Sequence, residues 1–164
     1  MRFPGFVLAM ALVPAVAAFS LPVAGPSAAR PDATLRAVLD TAMQDEHFAR
    51  SVYERVLRDH GAVMPFSNVV LAEQRHADHI AALLTARGDA VPPSRWNADL
   101  VPAYASVHDA CVAASGAEDA NIAMYDRLLK RDLPADVRAV FEQNRWASEA
   151  RHKPAFERCV ARGR

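Results

Sequence analysis

Apolar side chains recur every three or four residues through most of the chain after residue 31, and this period predicts amphipathic helices. Four such stretches cover residues 32–60, 67–87, 103–131 and 134–161. Gly61 and Gly88 follow the first two stretches, where glycine commonly ends a helix, and Pro134 suits the first turn of the fourth. The pattern therefore predicts an all-α protein.

The lengths of the connections predict how the helices are arranged. The first and third connections are short, which favours antiparallel helical hairpins, whereas the middle one runs from residue 88 to about residue 102 and contains Pro92 and Pro93. A connection of that length can cross the whole bundle. We therefore predict a four-helix bundle with one long crossover between helices 2 and 3.

Polar residues interrupt the apolar stripes at related places in the two hairpins. The second and fourth helices each carry a Glu-x-x-His pair, and the preceding helix of each hairpin carries one glutamate within its stripe. Residues three apart on a helix lie on the same face, so the two pairs and the two glutamates can converge in the bundle. The six residues are Glu46, Glu73, His76, Glu118, Glu149 and His152.

These six residues predict a site for two metal ions. A buried carboxylate without a partner is unfavourable, and two divalent cations would balance four carboxylates if both histidines are neutral. Carboxylate and imidazole ligands suit iron or manganese, and zinc also binds them. In this arrangement Glu73 and Glu149 would bridge the ions. The alternative is that the glutamates are surface charges and the histidines are hydrogen-bonded core residues.

Two tyrosines extend the internal repeat. Tyr53 follows Glu46 by seven residues, and Tyr125 follows Glu118 by the same interval. Each hydroxyl can reach a ligand carboxylate across the bundle, which makes the two tyrosines candidates for supporting catalysis. Ordinary core tyrosines remain the alternative.

The two cysteines are placed to form a disulfide. Cys111 precedes Glu118 by seven residues, and Cys159 follows His152 by seven. In antiparallel neighbours that meet at the metal layer, both displacements point to the same end of the bundle. The spacing therefore permits a Cys111–Cys159 bridge, with two small buried thiols as the alternative.

The first residues differ from the rest of the chain. Arg2 precedes a run of apolar residues that ends in small side chains, as in a secretory signal peptide. We predict a signal peptide at residues 1–18, a flexible leader at 19–31 and the bundle at 32–162, with export to a bacterial periplasm. A retained membrane anchor is the alternative. The formal net charge is zero and no basic stripe is evident, which argues against nucleic acid as a partner.

Four stretches of the chain resemble the ferritin-like superfamily, which includes rubrerythrins, bacterioferritins and other di-iron carboxylate proteins. Within it, the chain is most similar to a small bacterial and archaeal ferritin-like family of unknown function. The resemblance covers residues 32–160 and implies that the six candidate ligands occupy the di-metal positions. The matching stretches are residues 45–53, residues 66–68 leading into 73–76, residues 118–122, and His152 with Phe156.

Two departures from the rubrerythrin pattern limit the function that the resemblance implies. Ser115 stands one turn before Glu118, where rubrerythrins carry a further glutamate, and two cysteines cannot form a four-cysteine iron site. We expect two iron ions, with an iron–manganese pair or zinc as the alternative, and either oxidation of ferrous iron or reduction of dioxygen or peroxide at the ions. The competing expectation is a non-catalytic bundle that sequesters metal or binds a partner. The electron donor and the choice between monomer and homodimer remain open.

Overall fold

The structure, a computed structural model, describes residues 33–163 and is helical apart from the connecting segments. The helices form an all-α four-helix bundle, as the hydrophobic period predicts. The predicted signal peptide and leader lie outside the described residues. The elements are α1 (Ala33–His60), α2 (Phe66–Ala86), α3 (Val107–Leu128), α4 (Ala135–Ala147), a π-helical turn (Ser148–His152) and α5 (Lys153–Arg162).

Helix α3 begins four residues later than the sequence predicts. Ser106 has an extended backbone, and its side-chain oxygen accepts a hydrogen bond from the backbone N–H of Asp109 at 3.1 Å. This is a typical N-cap, and it fixes the start of the helix at Val107. Periodicity alone places the start near residue 103 because Ala103 and Tyr104 continue the apolar pattern.

The long connection crosses the bundle beside α1, as predicted. Its successive residues bind successive α1 side chains, so the segment runs from the start of α1 to its end. Helix α3 therefore starts at the same end of the bundle as α2. The contacts are Arg36 with the Ala90 carbonyl at 3.1 Å, Gln44 with the Pro93 carbonyl at 3.1 Å, Arg58 with Asp99 at 2.7 Å and His60 with the Tyr104 carbonyl at 3.0 Å.

The fourth helix of the bundle is interrupted beside Pro154. Proline has no backbone N–H, and its ring crowds the carbonyl four residues earlier. The chain widens into a π-helical turn at Ser148–His152, in which the Lys153 N–H bonds the Ser148 carbonyl five residues before it. This change of helical period alters which side chains face the bundle interior.

The core consists of two apolar layers with a polar layer between them. One apolar layer includes Leu39, Ile80 and Phe141, and the other includes Val56, Phe66 and Phe156. Buried polar residues lie between these layers along the helices. No helix within residues 33–163 is long and apolar enough to cross a membrane.

Candidate metal centre

Five of the six predicted ligands lie together in the polar layer. Glu46 comes from α1, Glu73 and His76 from α2, Glu118 from α3 and His152 from the π-turn. Each residue is at most 6% exposed. Ligand atoms of Glu46, Glu73 and His76 lie within 4.8 Å of one another, as do those of Glu73, Glu118 and His152. The bundle therefore contains two overlapping groups that could hold a metal ion, and Glu73 belongs to both.

The Glu73 carboxylate lies between the two histidines. Its Oε2 is 3.1 Å from His76 Nδ1, and its Oε1 is 3.1 Å from His152 Nδ1. The imidazole rings are stacked with their centroids 5.3 Å apart. Each oxygen of one carboxylate therefore faces a different ring, which is the arrangement expected of a bridging ligand.

The outer glutamates complete the two groups. Glu46 Oε2 is 3.2 Å from His76 Nδ1, and Glu118 Oε2 is 3.5 Å from His152 Nδ1. The same Glu–His contact therefore occurs in both groups, in agreement with the internal repeat of the sequence.

The predicted tyrosines bind the outer glutamates across the bundle. Tyr53 of α1 donates to Glu118 Oε1 at 2.7 Å, and Tyr125 of α3 donates to Glu46 Oε1. Burial raises the pKa of both phenols well above the ordinary value, so they remain protonated donors. Asn144 in turn donates to the Tyr125 hydroxyl at 3.1 Å. In each of these two carboxylates, Oε1 therefore accepts a hydrogen bond from a tyrosine, and Oε2 faces a histidine.

The structure corrects the prediction that Glu149 is a ligand. Its side chain is 54% exposed and accepts a hydrogen bond from Arg145 at 2.8 Å. A π-turn accommodates more residues than an α-helical turn, so position i+4 rather than i+3 lies over position i. Ser148 therefore shares the inner face with His152, and Glu149 points outward.

A hydrogen-bonded chain beside the cluster was not predicted from the sequence. Ser148 donates to Asn121 Oδ1 at 2.9 Å, and Asn121 donates to Asp45 Oδ2 at 2.7 Å. Burial raises the pKa of Asp45, and the hydrogen bond from Asn121 opposes part of this rise. The sequence did carry a signal, because Asn144, Ser148 and His152 recur at intervals of four and Asn121 follows Glu118 by three.

The charges of the metal-free cluster are compensated by protons. Burial raises the pKa of Glu46 to about 7, although its hydrogen bond with His76 opposes this change. Burial disfavours protonation of His76 and His152, but the adjacent carboxylates outweigh it and raise their pKa values to about 9 and about 10. Burial also acts against ionisation of Glu73, yet the proximity of both histidines holds its pKa below the usual value.

Two buried polar atoms of the cluster have no hydrogen-bond partner among the described residues, and a bound metal ion would provide one. Glu118 Oε2 and His152 Nδ1 are buried and make no hydrogen bond to any described residue. Glu118 Oε2 lies 3.5 Å from His152 Nδ1, and Glu73 Oε1 lies 3.1 Å from the same nitrogen. In neither case does the alignment suit a hydrogen bond from the imidazole. A cation among these atoms would satisfy all of them. Oxygen and imidazole donors suit iron, manganese or zinc.

In the described part of the chain, two cavities are lined in part by residues of the cluster. A pocket of about 220 Å³ between α1 and α3 ends at Tyr53, Glu73 and Glu118. A larger cleft of about 550 Å³ has His152 in its wall. The site is therefore buried but accessible to small molecules.

A disulfide joins Cys111 of α3 to Cys159 of α5, with the Cα atoms 6.0 Å apart. Both residues belong to the apolar layer that contains Tyr53 and Phe156. The bridge therefore connects α3 to the helix that immediately follows the π-turn.

Tyr53→Phe is expected to lower metal affinity by about 10- to 100-fold while the bundle stays folded, because the variant leaves Glu118 without its donor. Tyr104→Phe is the matched control, since Tyr104 belongs to the crossover segment, where its carbonyl is hydrogen-bonded to His60. Competition with a chromogenic chelator measures both affinities. Equal affinities in the two variants would show that the Tyr53 hydroxyl does not support the site.

The metal-free protein is expected to lose roughly 2 kcal/mol or more of stability as the pH rises from about 7 to about 10. His76 and His152 have an ordinary pKa of 6.5 when unfolded, and this value is raised on folding. Their contribution to the free energy of unfolding is fully present below pH 6.5, and it is lost as the pH rises past the pKa values of the folded state, about 9 and about 10. Urea denaturation in the presence of chelator measures this loss. A His76→Gln/His152→Gln variant that loses stability equally over this range would refute the assignment.

No family model matches the chain, and no curated protein matches it. Solved structures share its fold, and two of them are the following. The hypothetical protein MJ0754 from Methanococcus jannaschii DSM 2661 superposes with a TM-score of 0.69 at 22% identity, over 88% of this chain and 86% of that one. A conserved hypothetical protein, rv2844, from Mycobacterium tuberculosis gives a TM-score of 0.65 at 19% identity, over 77% of this chain and 89% of that one. At these identities the likeness concerns the fold alone.

Proposed function

We propose that this chain is a di-metal protein of the ferritin-like type that holds two iron ions between its helices. The observation that carries the proposal is the position of Glu73, whose two carboxylate oxygens each face a different histidine. Glu46 and His76 would complete one site, and Glu118 and His152 the other. Iron with manganese, or zinc, is the alternative occupancy.

The carboxylates of the polar layer would compensate most of the charge of two divalent ions. The three buried carboxylates carry three negative charges when the histidines are neutral and bound to metal. Two divalent cations would leave one positive charge, which an anionic ligand from solvent could balance. Without metal, the same carboxylates require protons on both histidines, as their raised pKa values indicate.

Two ferrous ions at this site would each give up one electron and become ferric, and the two electrons would reduce one dioxygen to peroxide, or one peroxide to water, with protons taken from solvent. The chain's own residues would hold and orient the ions. Tyr53 and Tyr125 would keep the outer carboxylates in place. Asp45, whose raised pKa suits proton exchange, lies at the small pocket and connects through Asn121 to Ser148.

The pocket between α1 and α3 has the properties expected of a route for a small oxidant. Its volume of about 220 Å³ exceeds that of dioxygen or peroxide, and Phe48, Ala49 and Ala117 form much of its wall. Its inner end lies at the bridging carboxylate. A reactant using this route would approach the shared ligand directly.

Rapid mixing of anaerobically iron-loaded protein with oxygenated buffer, or with peroxide, tests the proposed redox function. We expect ferric absorption to appear at least ten times faster than for free ferrous iron, and to return to the free rate in Glu73→Gln. Retained iron without faster oxidation would support metal sequestration and reject catalysis. Absence of bound metal would reject both functions.

We also propose that the protein is exported, with residues 1–18 removed as a signal peptide. The Cys111–Cys159 disulfide supports an oxidising compartment. Intact mass of the protein recovered from the periplasm tests this proposal, and a mass that retains the first residues would contradict it.

A further inference from the structure

The larger cleft lies between the beginning of α2 and the segment formed by the π-turn and α5. Its volume of about 550 Å³ is within the usual range for small-molecule sites. His152, one of the candidate metal ligands, forms part of its wall. The cleft therefore connects the protein surface with the cluster from the histidine side.

Three arginines line this cleft without a balancing acid. Arg151, Arg158 and Arg162 are exposed. None of the three forms an ion pair with another residue in the range 33–163. By contrast, Arg36, Arg87 and Arg145 each form an ion pair with an aspartate.

The lining of the cleft contains no acid to balance its arginines. No aspartate or glutamate in the described part of the chain lines the cleft. The cleft therefore has an uncompensated positive charge.

The remaining wall of the cleft is largely apolar. Val69 and Ala72 of α2 face Ala155 of α5, and Met64 at one side is 54% exposed. Guanidinium groups bind carboxylates and phosphates in a planar, two-pronged geometry. Cationic and apolar walls together favour a ligand that has both an oxyanion group and a hydrocarbon body.

We propose that the cleft binds a small organic anion, with its carboxylate or phosphate on the arginines and its apolar body along Val69 and Ala72 towards His152. Recognition by the arginines is independent of the metal centre. The placement of the ligand next to a reactive metal rests on the proposed function. Because the three buried carboxylates undercompensate two divalent ions, an anion at this position is also electrostatically favourable.

Calorimetric titration of the mature protein with octanoate tests the proposal, with phenyl phosphate as a second probe and with acetate and inorganic phosphate as probes that lack the apolar body. We expect octanoate and phenyl phosphate to bind at least ten times more tightly than acetate and inorganic phosphate, respectively. We expect Arg158→Gln/Arg162→Gln to weaken both at least tenfold. Arg131→Gln is the matched control, because this exposed arginine lines a different pocket beside Thr34 and Leu128.

Tryptophan emission locates the ligand. The Arg151 guanidinium lies 4.9 Å from the centre of the Trp146 ring, so an anion that engages Arg151 should change the emission of Trp146. The chain has two tryptophans, and Trp96→Phe leaves Trp146 alone. An unchanged emission during a calorimetrically complete titration would place the ligand elsewhere and overturn the proposal.

Repeating the titration after removal of metal separates this inference from the proposed function. Octanoate binding that persists in chelator and depends on Arg158 and Arg162 supports the cleft, whatever the metal content. Binding that requires metal but not these arginines shows direct binding to the ion and overturns the proposal. Binding only to vesicles that contain phosphatidylglycerol would instead indicate a membrane contact and would also overturn it.

Discussion

Glu73→Gln is expected to abolish binding of the two proposed metal ions, whereas Glu149→Gln should leave the metal content unchanged. Glu73 is 2% exposed and contributes to both ligand groups, so its loss removes a donor from each. Glu149 belongs to neither group described in residues 33–163 and pairs with Arg145 at the surface. The substitution to glutamine preserves the size of the side chain and removes one negative charge.

The two variants form a matched pair, because both change a glutamate to glutamine in a helix of the same bundle. Metal analysis after equilibration with ferrous iron should give at least a tenfold lower content for Glu73→Gln than for the wild type. Circular dichroism should show that both variants remain helical. A large loss of metal in Glu149→Gln would mean that the π-turn rearranges to supply a sixth ligand, contrary to the structure.

Loss of the disulfide is expected to lower the free energy of unfolding by about 4 kcal/mol. The bridge joins residues 48 apart, and closing a loop of this length restricts the unfolded chain by roughly that amount. A loss of this size is a large share of the stability of an ordinary single domain. Cys111→Ala/Cys159→Ala also leaves small gaps in the apolar layer, because both side chains are buried.

Urea denaturation of the wild type and the double variant, with and without reductant, measures the contribution of the bridge. Reductant should destabilise the wild type and leave the variant unaffected, which separates the crosslink from the packing of the side chains. Equal stability of oxidised and reduced wild-type protein would contradict the assignment of the bridge as a stabilising crosslink.

The helical periodicity of apolar residues in the sequence was sufficient to predict most of the fold and most of the candidate site. Glu46, Glu73, His76 and Glu118 lie where a regular helix places them, because α1, α2 and α3 are uninterrupted through the polar layer. The same regularity predicted the tyrosines that cross the bundle to bind the outer glutamates. The predicted crossover also follows from simple geometry, since the segment is long enough to run the length of α1.

The fourth helix shows where this reasoning fails. The Glu-x-x-His spacing assumes an α-helical turn between Glu149 and His152, but the π-turn rotates Glu149 outward and Ser148 inward. Pro154 signals a local disturbance in the sequence, although the resulting change of register depends on packing against α3. In the Asp45–Asn121–Ser148 chain only the Ser148 bond involves the π-turn, since Asp45 and Asn121 lie on the uninterrupted helices α1 and α3.

Metal analysis of the anaerobically purified protein, with the metal identified by mass spectrometry, tests whether the buried Glu/His cluster binds two iron ions. We expect two iron ions per chain in the wild type and loss of both in Glu73→Gln. Wild-type protein that binds no metal after equilibration with ferrous, manganous and zinc ions, and whose stability these ions do not change, would contradict this expectation.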